Sequence, residues 1–240
     1  LTAQLRGTQN PKVLDPALAV EVFHNFTLMH DDIMDAAPLR RGQPSAHEKW
    51  KQNTAILSGD AMFVKAYQLI TKIDPSYLLL AMNRFNETAL EVCEGQQLDM
   101  DFEQIGDVSQ ADYLKMIRLK TAVLLGFSME LGGIMGGFGR EDQERLYKVG
   151  ENLGLGFQLM DDLLDVYGDQ QKVGKQVGGD IIANKKTCLM INALDLAGTD
   201  ARSQLNGWIS IRDADPMEKV ASVKNIFDDL GIPQLVKIKR

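Results

Sequence analysis

Asp31-Asp32-Ile33-Met34-Asp35 follows one apolar run of this chain, and Asp161-Asp162-Leu163-Leu164-Asp165 follows another about half the chain later. Residues i and i+4 of an α-helix lie one above the other, so each stretch places two carboxylates on one helix face. If the two helices face each other, six carboxylates meet at one cleft. They repel one another by roughly 1–4 kcal/mol per pair. Such a cluster requires a divalent cation, and hard oxygen ligands favour Mg²⁺.

Helical periodicity continues outward from both stretches, and we find no convincing run of alternating strand residues. The predicted helices are Pro16–Met34, Thr54–Ile73, Ser76–Phe102, Ser109 to about Leu131, Glu141–Val166, Ile182–Ala197, Ala201–Ser210 and Pro216–Leu230. Asp15 is the expected N-cap of the first helix, and Ser109 with Asp112 resembles a capping box. The pattern predicts one all-α domain over residues 1–240.

The composition is that of an ordinary globular protein of 240 residues, with 45% hydrophobic and 25% charged residues. The net charge of −7 argues against general binding of nucleic acids or anionic membranes. Two distant cysteines, Cys93 and Cys188, favour a reducing cytoplasm over a disulfide framework. No apolar stretch reaches the roughly 18 residues of a membrane span, and no signal peptide opens the chain. The first residue is Leu1 instead of Met, so we expect upstream sequence to be missing.

Two arginines follow the first acidic stretch directly. Arg40 and Arg41 each present a planar fork that matches phosphate oxygens. Beside a metal-binding cluster, they suggest a diphosphate held between metal and guanidinium. The simpler alternative is a surface salt bridge to Asp35. Lys120 lies inside an otherwise apolar helix, where a charge needs a partner, and it fits the same diphosphate.

Further polar residues fit this anion site. Lys175 lies in the loop rich in Gly and Lys after the second acidic stretch, and Lys185 stands at the start of another helix. Gln158 shares a helix face with the second group of acids, although a structural hydrogen bond is the commoner role for such a glutamine. His24 lies two helical turns before the first group, where a core histidine is the alternative. The sequence contains no pattern for zinc or di-iron chemistry.

Together these residues resemble the trans-isoprenyl diphosphate synthases, the polyprenyl synthetase family. The matching text is Phe23-His24-Asn25-Phe26-Thr27-Leu28-Met29-His30 before the first stretch, Arg40-Arg41-Gly42, Leu57-Ser58-Gly59-Asp60, Lys120-Thr121, Gly156-Phe157-Gln158-Leu159-Met160 before the second stretch, Gly174-Lys175, Gly178-Gly179-Asp180 and Asn184-Lys185-Lys186-Thr187. The resemblance implies an all-α, single-domain helical bundle around a central cleft, of the isoprenoid synthase type, and a homodimer. It also implies a Mg²⁺-dependent transferase that condenses isopentenyl diphosphate head to tail with an allylic diphosphate.

The resemblance implies a role for each matching residue. Magnesium, with three ions per site, is expected at Asp31, Asp32, Asp35, Asp161, Asp162 and Asp165, where Asp162 and Asp165 support Asp161. The allylic diphosphate or its metal cluster is expected at Arg40, Lys120, Gln158, Lys175 and Lys185, and the diphosphate of isopentenyl diphosphate at His24 and Arg41. Thr121 and the Lys120 carbonyl are expected beside the reacting allylic carbon. The expected catalytic residues are therefore Asp31, Asp35, Lys120, Thr121 and Asp161.

Phe23, Phe26 and Thr27 precede the first acidic stretch and, by the same resemblance, line the groove for the growing chain. An aromatic residue just before Thr27 caps that groove, so Phe26 and Phe23 favour a short product, farnesyl or geranylgeranyl diphosphate. The family's Gly-Lys-Arg-x-Arg-Pro segment, which grips isopentenyl diphosphate, does not occur in this sequence. We expect disorder or truncation to account for it in place of true loss.

Three other functions fit part of the pattern. A terpene cyclase shares the all-α fold and the first acidic stretch, but its second metal motif usually has an Asn-Ser/Thr-Glu pattern. A catalytically silent subunit of a heteromeric prenyl synthase typically loses an acidic stretch, and this chain keeps both. A purely structural metal-binding bundle leaves the lysines unexplained.

Overall fold

Helices dominate the computed structural model, which describes residues 2–5, 7, 11–168, 177–211 and 213–239. The α-helices are α1 (Leu14–Met34), α2 (Ala46–Trp50), α3 (Gln52–Ile70), α4 (Pro75–Gln104), α5 (Gln110–Ile117), α6 (Val123–Met135), α7 (Arg140–Tyr167), α8 (Gly179–Ile182), α9 (Cys188–Leu196), α10 (Thr199–Ser210), α11 (Pro216–Asp229) and α12 (Ile232–Lys239). Short 3₁₀ turns cover Thr2–Gln4 and Pro11–Val13, and a π-helical segment, Arg118–Ala122, joins α5 to α6. The all-α prediction is confirmed. In the described residues, none of the helices is both long and apolar enough to cross a membrane.

A small antiparallel ladder follows α1, with β1 at Leu39–Arg40 and β2 at Gln43–Pro44. The two residues between the strands, Arg41 and Gly42, have φ of 53° and 74°. Positive φ at both central positions characterises a type I′ hairpin turn. Glycine adopts this conformation freely, whereas arginine rarely does. Strands of two residues are too short to show an alternating pattern, so periodicity does not predict this hairpin.

Of the two predicted helix N-caps, the one of α5 is confirmed and the one of α1 is wrong. Because α1 starts at Leu14, directly after a 3₁₀ turn, Asp15 lies inside the first helical turn and is not the N-cap. Ser109 does cap α5, since its Oγ accepts a hydrogen bond from the Asp112 N–H at 3.1 Å. The two positions differ in their backbone, since Ser109 is extended whereas Val13, which precedes α1, is helical.

Two predicted helices are interrupted in the structure. The helix predicted from Ser109 to Leu131 contains the π segment. The helix predicted over 182–197 begins too early, because Asn184 has φ of 58° and residues 183–187 separate α8 from α9, which starts at Cys188. A π segment inserts an extra residue into a helix while apolar residues continue on both sides. The sequence pattern therefore does not reveal it.

The chain packs as two compact units, each with its own core. The first unit comprises Leu1–Glu94 with Leu119–Gly154, and the second comprises Gly95–Arg118 with Leu155–Arg240. The first core is rich in aromatic rings, and Phe23, Phe85 and Phe127 are fully buried there. The second core is mainly aliphatic and includes most of α9. A single domain over residues 1–240 stays a prediction.

Candidate functional site

The first acidic stretch forms the C-terminal end of α1, in the first unit. The Asp35 N–H donates to the Asp31 carbonyl at 2.9 Å, so the two residues are one helical turn apart, as the spacing predicts. Asp32 is buried, Asp31 is half-buried and Asp35 is exposed. A helix C-terminus disfavours negative charge. These carboxylates therefore need positive partners.

Arg40, in the hairpin that follows α1, is the first of these partners. Its Nε donates to Asp32 Oδ1 at 2.9 Å, and its Nη2 donates to the same oxygen at 2.5 Å. Nη2 also lies 3.5 Å from Asp31 Oδ2. These interactions, the hydrogen bond to Asp32 above all, raise the pKa of Arg40. The structure therefore pairs Arg40 with both leading aspartates of the stretch.

Lys120 is the second partner. Its Nζ donates to Asp31 Oδ1 at 2.9 Å, which confirms that the charge inside this apolar helix has a partner. Lys120 and the half-buried Thr121 both lie in the π segment. A π turn changes the direction of side chains relative to a regular helix, and such segments often occur at functional sites. Asp31 thus contacts basic side chains from two separate elements.

Helix α7 packs directly against the segment that carries Lys120. A Cβ built on Gly154 would lie 2.5 Å from Ala122 Cα, and one built on Gly150 would lie 2.5 Å from the Leu125 carbonyl oxygen. Both positions therefore require glycine, because backbone atoms of the neighbouring helix occupy the space of a side chain. This close approach supports the π segment from one side.

His24 lies near the basic hairpin. Burial lowers the pKa of His24 by more than Glu21 raises it, and the positive charges of Arg41 and Arg40 lower the pKa further. The neutral imidazole is favoured as a result. The Thr27 hydroxyl donates to the His24 carbonyl at 2.8 Å. Arg41 is exposed in the hairpin turn, and the joint role of His24 and Arg41 at a second diphosphate stays a prediction.

Aromatic rings surround the part of α1 that precedes the acids. The Phe26 ring stacks on Phe63 of α3, with centroids 4.9 Å apart. The fully buried Phe23 packs edge-on against Phe85, with centroids 5.2 Å apart. Sequence analysis missed Phe63, although its spacing of four residues from Tyr67 places two aromatic rings on one face of a helix.

The second acidic stretch lies near the C-terminal end of α7, in the second unit. Asp162 is only 4% exposed, and its Oδ2 accepts hydrogen bonds from the Tyr113 hydroxyl at 2.5 Å and the Cys188 N–H at 3.0 Å. Its Oδ1 accepts from Gln158 Nε2 at 3.3 Å. Burial raises the pKa of Asp162 to about 6, although these hydrogen bonds oppose the shift. Asp162 therefore anchors the stretch to the interior of its unit, with Gln158 as one of its hydrogen-bond donors.

Tyr113 is a site residue that sequence analysis missed. It is 2% exposed, and burial, followed by the charge of Asp162, raises its pKa well above the usual value. A buried tyrosine hydroxyl needs a hydrogen-bond acceptor. The available signal was its position three and four residues before Met116 and Ile117, on the apolar face of α5.

Residues 178–188, called the 178–188 segment below, run alongside the second acidic stretch. The Asp165 carbonyl accepts from the Gly178 N–H at 2.7 Å, and Asp165 Oδ2 accepts from the Asp180 N–H at 3.1 Å. Burial, followed by the charge of nearby carboxylates led by Asp165, raises the pKa of Asp180 to about 7, and the charge of Lys185 opposes this shift. Asp180 is thus a further carboxylate of this site, one to which the sequence match assigned no role. Lys185 lies between α8 and α9 and does not open a helix.

The carboxylates fit magnesium that completes its shell with other ligands. Across the parts of the chain that the structure describes, no three His, Cys, Asp or Glu side chains converge as a ready cation site. Mg²⁺ usually binds through one or two carboxylates together with water and substrate phosphates. The remaining aspartates, Asp31 and Asp35 in one unit and Asp161 and Asp165 in the other, supply oxygens of this kind. That the two groups face each other across one cleft stays a prediction, and Lys175 lies outside the described residues.

Comparisons with known proteins agree with one another. The family model described as Polyprenyl synthetase matches residues 1–229. The chain is 42% identical over 197 residues to the geranylgeranyl diphosphate synthase of Methanosarcina mazei, over 81% of this chain and 61% of that protein. A crystal structure of geranylgeranyl pyrophosphate synthase has a TM-score of 0.93 and 46% identity, over 98% of this chain and 73% of that chain. A polyprenyl synthase from Caulobacter crescentus, crystallised with calcium and isoprenyl diphosphate, has a TM-score of 0.90 and 30% identity, over 98% of this chain and 70% of that chain.

The lengths of these proteins differ from that of the chain. The chain spans 61% of the length of the Methanosarcina mazei protein. The relatives are named as synthases, so the terpene cyclase and silent-subunit alternatives find no support among them.

Proposed function

The chain belongs to the polyprenyl synthetase family, and we propose that it condenses isopentenyl diphosphate head to tail with an allylic diphosphate in a Mg²⁺-dependent reaction. The proposed product is a short-chain prenyl diphosphate, farnesyl or geranylgeranyl. The names of relatives at 42% and 46% identity support this product class. A cytoplasmic homodimer, as the resemblance implies, belongs to the same proposal.

The observation that carries the proposal is the arrangement around Asp31. Arg40 Nη2 lies 3.5 Å from one carboxylate oxygen, and Lys120 Nζ lies 2.9 Å from the other. The two bases come from separate elements and converge on one acid. A diphosphate with its metal suits such a site, because the metal takes the carboxylate and the anion takes the two cationic groups.

The proposal divides the site residues by ligand. The metal is assigned to Asp31, Asp35, Asp161 and Asp165, with support from Asp32 and Asp162, and the allylic diphosphate is assigned to Arg40, Lys120, Gln158, Lys175 and Lys185. Bound Mg²⁺ would stabilise the negative charge that develops on the departing diphosphate. His24 and Arg41 bind the second diphosphate, and the neutral imidazole of His24 serves there as a hydrogen-bond donor.

The reaction breaks the bond between the allylic carbon and its diphosphate oxygen, and the electron pair leaves with the diphosphate. The isopentenyl double bond supplies the electrons of the new carbon–carbon bond. A proton then passes from the isopentenyl unit to the released diphosphate, and the electrons of that C–H bond form the new double bond. Thr121 and the Lys120 carbonyl lie beside the allylic carbon in this proposal. The mechanism needs no protein nucleophile.

The stacked rings of Phe26 and Phe63 suggest how product length is limited. A ring pair with centroids 4.9 Å apart offers a rigid apolar wall, since each ring fixes the rotamer of the other. Phe23, which is fully buried, supports that wall from the core. A chain that grows along α1 from Asp31 meets the wall after a few isoprene units.

The test incubates the protein with isopentenyl diphosphate and each of three allylic primers, dimethylallyl, geranyl and farnesyl diphosphate, with and without Mg²⁺, and sizes the products. Condensation only in the presence of Mg²⁺ is expected. The Asp31→Ala and Asp161→Ala variants should each lose turnover while circular dichroism shows near-normal helix content. Asp195→Ala, at an exposed position of α9, is the control and should remain active. Absence of condensation with every primer overturns the proposal.

A further inference from the structure

Lys219, in α11, is a buried charged residue that the proposed mechanism does not use. It is 4% exposed, and its Nζ donates to the Ile182 carbonyl at 3.2 Å and to Asn184 Oδ1 at 2.7 Å. It forms no ion pair with any carboxylate that the structure describes. Burial lowers the pKa of Lys219, because an ammonium group away from water is costly without a negative partner. The role of Lys219 therefore depends on the two groups that accept its hydrogen bonds.

Both acceptors belong to the stretch where α8 ends. Ile182 is the last residue of α8, and its carbonyl has no further helical turn to bond with. Asn184 follows at φ of 58°, in the left-handed region that asparagine tolerates better than most residues. Its Nδ2 donates to the Ile209 carbonyl at 3.2 Å. The Asn184 amide is thus used at both ends, and Lys219 and α10 together fix its orientation.

Hydrogen bonds along the 178–188 segment connect Asn184 to the second acidic stretch. The Lys185 N–H donates to the Asp180 carbonyl at 2.9 Å. The Cys188 N–H, at the other end, donates to Asp162 Oδ2 at 3.0 Å. Gly178 has φ of 77°, and a Cβ there would lie 2.6 Å from Val220 of α11. The segment is therefore held by α11 on one side and by α7 on the other.

We propose that Lys219 is a positioning residue: its buried ammonium, through Ile182 and Asn184, sets the conformation of the 178–188 segment. The segment in turn places the Lys185 side chain and the Cys188 amide that anchors Asp162. The inference rests on the proposed function, since it gives a use to the placement of a diphosphate-binding lysine and a metal-binding stretch. It adds a residue, and a mechanism of support, that the sequence match does not contain.

An apolar side chain at position 219 could fill the same volume but could not donate hydrogen bonds to Ile182 and Asn184. With methionine at position 219, the Ile182 carbonyl and Asn184 Oδ1 would lose their donor while remaining in a buried place. The amide of Asn184 would then be free to rotate about the one hydrogen bond left to it. A residue that only packs would affect stability, whereas a positioning residue also affects ligand affinity.

The test compares Lys219→Met with Lys224→Met, which removes a lysine from the same helix, and with two variants of Asn184. Glycine at 184 keeps the positive φ but removes the acceptor, and Asn184→Asp keeps an oxygen for the ammonium. Binding of inorganic diphosphate with Mg²⁺ is measured by calorimetry. Amide hydrogen exchange is measured by mass spectrometry on peptides that cover the 178–188 segment, with thermal unfolding as a check of folding.

Lys219→Met and Asn184→Gly should each weaken diphosphate binding by about tenfold, the scale on which supporting residues act at metal sites. Both should speed exchange in the 178–188 segment. Asn184→Asp should restore most of the affinity, and Lys224→Met should behave as the wild type. Wild-type affinity together with wild-type exchange in Lys219→Met, or in Asn184→Gly if the methionine variant does not fold, overturns the inference.

The exchange measurement separates this inference from the proposed function. If wild-type protein neither binds diphosphate with Mg²⁺ nor condenses any primer, the proposed function fails. Exchange in the 178–188 segment needs no ligand, so it still reports whether Lys219 sets the conformation of that segment. Faster exchange with unchanged affinity would instead assign Lys219 a structural role only and would overturn the positioning role.

Discussion

Glu130 of α6 shows how burial and pairing compete at one residue. It is 6% exposed, and Arg84 Nε lies 3.0 and 2.8 Å from its two carboxylate oxygens. Burial raises the pKa of Glu130 above the ordinary 4.5, although the hydrogen bond and charge of Arg84 oppose the shift. The folded protein therefore binds the Glu130 proton more tightly than the unfolded chain does.

The sign of this shift predicts a pH dependence. A raised carboxyl pKa means that stability is lost as pH rises from about 4.5 through the folded-state value. The unfolding free energy of the wild type, relative to Glu130→Gln, should fall as pH rises above about 4.5, the ordinary value of this carboxyl group. Urea unfolding at several pH values measures this difference in free energy. Glu87→Gln is the control, because Glu87 is an exposed carboxylate that also pairs with Arg84. A difference that grows with pH would mean that Arg84 outweighs burial.

Phe26 allows a prediction about product length. Replacing Phe26 by alanine removes the ring that stacks on Phe63 and opens space along α1, so the longest product should gain one or more isoprene units. Chromatography of the products measures it. Phe26→Leu, which keeps most of the bulk, should shift the distribution less. An unchanged chain length in Phe26→Ala would show that the Phe26–Phe63 wall does not limit growth.

Individual site residues could be predicted where a charge stands in apolar sequence. Lys120 is of this kind: the sequence predicts that its charge needs a partner, and in the structure Asp31 is that partner. Tyr113 and Phe63 could not be found in this way, because a Tyr or Phe on an apolar helix face looks like any core residue. Their contribution depends on which side chain lies opposite, and that is a property of the tertiary structure.

At the scale of elements, the contact between α7 and the π segment allows a prediction with a matched control. Gly154→Ala would place a Cβ 2.5 Å from Ala122 Cα, so one backbone must move, at a cost of roughly 1–3 kcal/mol. Gly156→Ala, two residues later in α7, meets nothing within 4 Å and should be neutral or stabilising by up to about 1 kcal/mol. Both changes restrict the unfolded chain equally. Denaturant midpoints measure the difference, and equal midpoints would contradict the close contact.

The sequence predicted which long helices exist better than it predicted where helices are interrupted. Apolar periodicity identified the long helices α1, α3, α4 and α7 because each buries one face continuously. The break at Asn184 was missed because asparagine is unremarkable in a helical pattern until its φ is known. The 39–44 hairpin was missed for a related reason, since its turn depends on Arg41 adopting a conformation that is rare for arginine.

At the scale of the whole molecule, the ion pairs of the first acidic stretch predict cooperative ligand binding. Arg40 and Lys120 already contact Asp31, so Mg²⁺ alone competes with two cationic groups. Diphosphate draws those groups away and frees the carboxylate. Mg²⁺ and inorganic diphosphate together should therefore raise the melting temperature by more than the sum of their separate effects, by roughly 5–10 °C at saturation.

Thermal unfolding with each ligand alone and with both measures this cooperativity. Sulfate in place of diphosphate controls for a general anion effect, and Asp31→Asn should lose the excess. A full shift with Mg²⁺ alone would show that the basic side chains do not compete.

The division of the chain into two units could not be predicted from the sequence. Helical periodicity shows which face of a helix is buried, but it does not show which other helix that face contacts.

The π segment also bears on changes in chain length. It holds Arg118–Ala122, five residues, where a regular helix would place one fewer in the same rise. Deleting one residue there would let α5 and α6 join as a continuous α-helix, so the backbone itself would tolerate the loss. The helices on both sides would keep their positions, because a regular helix covers the same rise with one residue fewer. Inside the segment the wide turn would be lost, so Lys120 would no longer point at Asp31. A single-residue deletion should therefore leave a folded helix with a misdirected site, whereas most substitutions in the same five residues keep the register.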